Sequence, residues 1–232
     1  VLVKDHNVWI RHEESKKEHQ LSEDGAGENP YRHKVYWAPD ATRFMLVRQR
    51  KEQPHIVTMV ESSPRNQVQP RLKQHNYLKP GDRIRQEQPC LFDVSTLKQI
   101  AIDTNAFPNP WKIEQYQWWP DSSAFTFLYN QRGHQVMQVV EIDGKTGNSR
   151  ALIDEDCDTF FDYSSKTYLH LDRESREMIW MSERSGWNHL YRVDGHTGKA
   201  RPITKGEWVV RKVIHRDDRE RVIWFMACGV YP

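Results

Sequence analysis

An all-β fold of repeated antiparallel sheets is what this sequence predicts. Three observations carry the prediction: apolar runs of strand length, the near absence of helical periodicity, and a turn motif that returns about every 50 residues. The runs are plain in Arg43-Phe44-Met45-Leu46-Val47-Arg48, Ala124-Phe125-Thr126-Phe127-Leu128-Tyr129 and Glu177-Met178-Ile179-Trp180-Met181. After a short polar turn each is expected to meet a second strand, namely His55 to Val60, Val136 to Ile142 and His189 to Val193.

The repeat sets the architecture. Ile142-Asp143-Gly144-Lys145-Thr146-Gly147 returns 51 residues later as Val193-Asp194-Gly195-His196-Thr197-Gly198, and Phe92-Asp93-Val94-Ser95-Thr96 is a weaker copy 50 residues earlier. Trp37-Ala38-Pro39-Asp40 returns as Trp118-Trp119-Pro120-Asp121 ahead of a strand. A unit of about 50 residues with four short strands predicts β-propeller blades, here about four to five of them in a partial ring. In Asp-Gly-Lys-Thr-Gly the Asp can accept hydrogen bonds from the backbone two residues on and Gly accepts positive φ, so the motif should close the hairpin between a blade's third and fourth strands. The Trp residues are expected to wedge between neighbouring blades.

By this spacing the blades occupy about 1–30, 31–105, 106–155, 156–206 and 207–232, the first and last incomplete. The second window is about 25 residues too long. The excess, at about 62–88, is polar and rich in Pro and Gln, which predicts an arm-like insertion, since loops longer than about 12–15 residues are uncommon without a role. One domain, 1–232, follows.

Composition excludes several classes. Hydrophobic residues at 37% and charged residues at 28% are ordinary for a globular chain. A net charge of +2 with both signs interspersed argues against nucleic acid as a partner. No apolar run approaches the roughly 18 residues of a membrane helix, so no membrane anchor is read. The chain opens on Val1 with no initiator Met and no leader pattern, which predicts that the natural N-terminus lies upstream. The three cysteines, Cys90, Cys157 and Cys228, have no paired spacing and are expected to be buried apolar residues. The eleven His residues are scattered, and the acidic run Asp154-Glu155-Asp156-Cys157-Asp158 lacks the spacing of a calcium loop, so neither metal nor cofactor is expected. Ser62-Ser63 and Ser122-Ser123 sit beside turn residues and read as turn serines.

Several segments resemble one family. Ser182-Glu183-Arg184-Ser185-Gly186-Trp187-Asn188-His189-Leu190-Tyr191 and Thr204-Lys205-Gly206-Glu207-Trp208-Val209-Val210 resemble signatures in the propeller domain of dipeptidyl peptidase IV-like enzymes, serine peptidases of the prolyl oligopeptidase clan. Tyr77-Leu78-Lys79-Pro80-Gly81-Asp82 with Pro89-Cys90-Leu91-Phe92-Asp93-Val94 resembles the end of that family's extended arm, and Tyr129-Asn130-Gln131-Arg132-Gly133-His134-Gln135 another of its hairpins. The likeness is to bacterial members and runs in order from about Val35 to Pro232.

The resemblance implies a periplasmic or extracellular enzyme of two parts. A propeller gates peptide substrates toward a C-terminal α/β-hydrolase domain, dipeptides are cut from N-termini after Pro or Ala, and the arm helps form a homodimer. No Gly-x-Ser-x-Gly elbow occurs here, so no catalytic residue is assigned and the hydrolase domain is read as absent from these residues. The resemblance also implies an acidic pair that holds the substrate amine just before the Trp-x-Pro-Asp strand. That connection, Leu21 to Tyr31, has no paired Glu after an aromatic; Glu28 is the nearest stand-in for substrate binding, and a solvated loop acid is the competing reading. The alternative function is a non-catalytic periplasmic propeller scaffold that binds partner proteins.

Overall fold

The computed structural model describes residues 1–230, and among these all regular structure is β. The strands form a succession of antiparallel meanders. The first sheet holds β1 (Leu2–Lys4), β2 (Asn7–Arg11) and β3 (Glu18–Gln20) in chain order. The second holds β4 (Tyr36–Trp37), β5 (Arg43–Arg50), β8 (Gln86–Asp93) and β9 (Lys98–Ile100), with β6 (Ile56–Glu61) and β7 (Arg71–Asn76) set apart as a two-stranded hairpin. The third holds β10 (Pro110–Trp118), β11 (Ala124–Gln131), β12 (Val136–Asp143) and β13 (Ser149–Asp156). The fourth holds β14 (Leu169–Leu171), β15 (Glu177–Ser182), β16 (His189–Asp194) and β17 (Ala200–Pro202). A fifth consists of β18 (Val209–Asp217) and β19 (Val222–Cys228).

The second strand of each central sheet is covered on both faces, which is why β5 and β11 read as unbroken apolar runs. Successive side chains point to opposite faces, so the two neighbouring sheets share each strand's apolar set. Phe44 and Leu46 pack toward the first sheet with Val8 and Leu21, while Met45 and Val47 pack toward Phe125, Phe127 and Tyr129 of the third. On the far face of β11, Ala124 and Leu128 meet Met178 and Trp180 of the fourth sheet. Leu190 and Met181 then meet Val210. A core between every pair of consecutive sheets is thus written as period-two alternation. Each fully buried Phe or Leu in it contributes roughly 1.5–3 kcal/mol.

The Asp-Gly turns close β12–β13 and β16–β17 in the same way. Asp143 Oδ1 accepts from the amides of Lys145 (2.9 Å) and Thr146 (2.8 Å), and Asp194 Oδ1 from those of His196 and Thr197 (2.9 Å each). Gly147 and Gly198 take positive φ (75° and 72°) and lie against the backbone of the preceding sheet, at Ala101 and Leu152.

Three sequence expectations need correction. His55–Val60 is not the partner of Arg43–Arg48: β5 pairs with β8, and the segment becomes β6, hydrogen-bonded only to β7. Its alternating apolar residues satisfy a hairpin as well as a sheet, so the pattern alone does not say which strand lies beside it. The excursion between β5 and β8 accordingly runs over residues 51–85. Second, Trp118 and Trp119 are buried, and Trp118 Nε1 donates to the carbonyl of Tyr36 in the preceding sheet at 3.0 Å. Trp37, by contrast, is 42% exposed and rests only its inner face on Phe44, with ring centroids 4.9 Å apart. Third, of the cysteines only Cys90 is buried, between the first two sheets, where burial pushes its thiol up to about 11. Cys157 lies where the chain leaves β13 and is half-buried, and Cys228 is exposed at the end of β19.

Candidate functional site

Antiparallel pairing divides the turns between two ends of the stack. At one end lie the short Trp-x-Pro-Asp and Asp-Gly turns, where Trp118 pairs with Phe125 and Ala124 with Asp143. At the other end Pro110 pairs with Gln131, Asn130 with Met137, and Val136 with Asp156. There the connections lengthen: residues 21–35, the excursion 51–85, residues 101–109 and residues 157–168. The tight end is used up in holding itself together, through side-chain caps such as Ser122 Oγ on the Asp40 amide at 3.0 Å. The long end carries the longer loops, and functional groups gather on loops held by a rigid scaffold.

The second sheet builds the main feature of that end. Arg48 lies opposite Gln88 and Arg50 opposite Gln86 in the β5–β8 register. Alternation places these four side chains on one face, where Arg48 Nη2 donates to Gln88 Oε1 at 2.7 Å and Arg50 Nη2 to Gln86 Oε1. Gln49 and Glu87, between them, bond each other at 3.0 Å on the opposite face, with Arg32 beside them. Gln86 Nε2 reaches across to Asn109 Oδ1, 3.1 Å away, in the connection to the third sheet. Arg48, Arg50, Gln86, Gln88 and Asn109, together with Asn29 and Asn105, line a recess of about 490 Å³.

Glu28, the acid singled out from sequence, immediately precedes Asn29 and is not itself one of the residues that line the recess. Its side chain is 73% exposed and meets Arg83 of the excursion at 3.3 Å, while its carbonyl accepts from the Lys51 amide at 2.8 Å. The loop that carries it is fixed by Asn7, whose Oδ1 accepts from the Gly25 amide at 2.8 Å, and by Ser22 Oγ on the Val8 amide at 2.9 Å. Asp24 of the same loop is the second acid here: it accepts from the Tyr31 hydroxyl at 2.8 Å and pairs with Arg48. Burial and the neighbouring Cys90 and Asp24 push the Tyr31 phenol far above its ordinary range, so it stays a neutral donor.

Two further groups on this end were not legible from motifs. Trp111, His134, Phe160 and Tyr163 cluster around the β11–β12 hairpin, with His134 stacked on Tyr163 at 4.2 Å and edge-on to Trp111 at 5.1 Å. Burial lowers the pKa of His134. Arg184, at the β15–β16 turn, pairs with buried Glu155 of β13 and lies over the Tyr191 ring at 4.9 Å. The acidic run therefore splits: Glu155 is an inter-sheet anchor, and Asp154 and Asp156 face solvent. Among the described residues no three His, Cys, Asp or Glu converge as a metal site would require.

Within the Gly-Trp-Asn-His-Leu-Tyr segment, Asn188 and His189 are structural. Asn188 Nδ2 donates to the Val210 carbonyl at 2.8 Å, and His189 bridges Thr204 Oγ1 (3.0 Å) and the Gly206 carbonyl (2.9 Å). They tie the fourth sheet to the fifth and leave Trp187 42% exposed at the tip.

A succession of antiparallel sheets with a tight-turn end and a recessed, loop-bearing end defines a repeated-sheet β domain. The chain belongs to the dipeptidyl peptidase IV (DPP IV) N-terminal region family, whose model matches residues 1–232. It is similar to dipeptidyl peptidase 4 of Trichophyton rubrum, 28% identical over 145 residues, which is 59% of this chain and 18% of that protein. It is also similar to dipeptidyl peptidase 4 of Arthroderma otae, 25% identical over 141 residues, again 59% and 18%. The fold matches the crystal structure of Porphyromonas gingivalis dipeptidyl peptidase 4 with a TM-score of 0.70 at 15% identity, over 97% of this chain and 33% of that one. The chain thus spans about a fifth of the length of the curated relatives it matches (18%).

Proposed function

We propose that the chain is part of the propeller domain of a serine-type dipeptidyl peptidase, with its sheets as successive blades, and that its long-connection end meets peptides on their way to a C-terminal α/β-hydrolase domain. The observation that carries this reading is the family match over the whole chain together with the gathering of every long connection and the 490 Å³ recess at one end. In this reading Glu28 exchanges its loose pairing with Arg83 for the ammonium of a peptide N-terminus, and dipeptides ending in Pro or Ala are released in the periplasm or outside the cell. The β6–β7 hairpin is the proposed homodimer arm. It stands off the second sheet with Ile56, Val60 and Leu72 on one face, 59%, 64% and 69% exposed, and an isolated two-stranded hairpin is marginal without a partner.

The test is kinetic. Full-length protein should hydrolyse Gly-Pro- and Ala-Pro-p-nitroanilide and ignore the same reporters with an acetylated amine. Glu28→Gln should raise KM for the free-amine reporters with kcat nearly unchanged, because the lost contact is made equally in ground and transition states. Turnover that is indifferent to acetylation would contradict the reading.

A further inference from the structure

The charges around the recess do not balance, and the imbalance names a ligand. Arg48 and Arg50 line it, and the acid on its wall, Glu87, projects to the other face of β8, where it meets Gln49 and Arg32. Arg48 is matched by Asp24, yet its Nε is buried with no partner. Arg50 has only the neutral Gln86 amide opposite it and is exposed to whatever enters. The same wall offers the side-chain amides of Asn29, Gln88, Asn105 and Asn109. A guanidinium without a carboxylate, set among amide groups, is built to receive a planar anion through paired N–H···O bonds.

We infer that the recess selects peptides carrying a carboxylate, which Arg50 engages with Arg48 in support. The inference rests on reading this end as the peptide-contacting one, and it adds to that reading a preference among peptides. The carboxylate belongs either to an Asp or Glu side chain or to a short peptide's own C-terminus, and the chemistry at Arg50 is the same. The neighbouring acids face other partners than Arg50: Glu28 faces Arg83, and Asp24 faces Arg48 and Tyr31.

Competition by three free-amine peptides against hydrolysis of Gly-Pro-p-nitroanilide by the full-length protein tests this, since the shared amine contributes equally to all three. The peptides are Gly-Pro-Glu-Gly-amide, its Gln counterpart, and the Gln peptide with a free C-terminal carboxylate. One or both carboxylate peptides should bind about tenfold tighter than the neutral one, the scale of one charge-assisted hydrogen-bonded pair. Arg50→Gln should abolish the difference, and Arg50→Lys should keep part of it. Equal affinity for all three peptides would overturn the carboxylate preference while leaving the peptide-contacting face intact. No binding of any peptide would overturn both. An undiminished preference in Arg50→Gln would move the site elsewhere and overturn the assignment to Arg50.

Discussion

Arg176, just ahead of β15, reaches back to Asp121 of the preceding sheet, with Nη2 2.6 Å from Oδ1 and 2.5 Å from Oδ2, and its guanidinium lies 5.0 Å from the Trp119 ring. Arg221 repeats the reach one sheet later, onto Glu177 at 2.8 Å. Both arginines take positive φ (54° each) in equivalent turns. The tight-turn end is therefore laced from sheet to sheet by arginine. Asp121 is 60% exposed, so solvent weakens the ion pair, while Arg176 is only 14% exposed and stacked. Arg176→Ala should cost about 1 kcal/mol, from lost packing as much as from lost charge. Arg176→Lys should recover little of it, as urea denaturation midpoints would show.

The same end should be acid-sensitive. Asp93 is held below the usual carboxylate range first by the Ser95 hydroxyl and then by the Thr96 amide, and Asp194 first by the Thr197 amide and then by that of His196. For Asp143 burial opposes ionisation, but the Thr146 and Lys145 amides outweigh it. A depressed folded-state pKa gives stability that is present above the unfolded value of about 3.9 and lost as pH falls through the folded one. Denaturation midpoints should hold from pH 7 to about 5 and fall steeply below about pH 4. Asp143→Asn should flatten that fall, and an unchanged acid limb in the variant would show that the turn carboxylate is not its source.

Two glycines with positive φ separate strain from close contact. Gly147 and Gly133 take φ of 75° and 104°, but a Cβ at Gly147 would sit 1.9 Å from the Ala101 carbonyl oxygen, whereas one at Gly133 meets nothing within 4 Å. Gly133→Ala should cost about 1 kcal/mol through backbone strain alone, and Gly147→Ala clearly more, because the preceding connection must move. Equal losses in thermal unfolding would contradict this packing.

The arm has a direct test in solution. Leu72→Glu replaces an exposed apolar residue opposite Val60 and should leave the melting temperature of the sheets within about 2 °C. If the hairpin pairs two copies, light scattering of the full-length protein should show the variant dissociating at concentrations where the native protein stays dimeric. An unchanged dimer would remove the arm from the interface.

The sheet succession was legible because it is local. Asp143 and Asp194 each carry their turn within five residues, and Phe44-Met45-Leu46-Val47 writes both of its packing faces into one run. The recess was not legible, because Arg50 meets Gln86 only after a 35-residue excursion whose own strands fit the same pattern. Glu28 was singled out through the resemblance, as the nearest stand-in for an acidic pair before Trp37, but its partner Arg83 lies in the excursion and no spacing rule reaches that far. Trp37 and Trp118 share a motif yet differ in burial, since the motif fixes the turn and the neighbouring sheet decides how much of the ring is covered.

The central claim is that peptides meet the long-connection end and not the tight-turn end. Photo-crosslinking with a benzophenone-bearing peptide, read by mass spectrometry on the full-length protein, tests it most directly. Crosslinks are expected within residues 24–32, 48–50, 83–88 and 104–111. Crosslinks concentrated at residues 40–43, 121–123 and 143–147 would contradict the account.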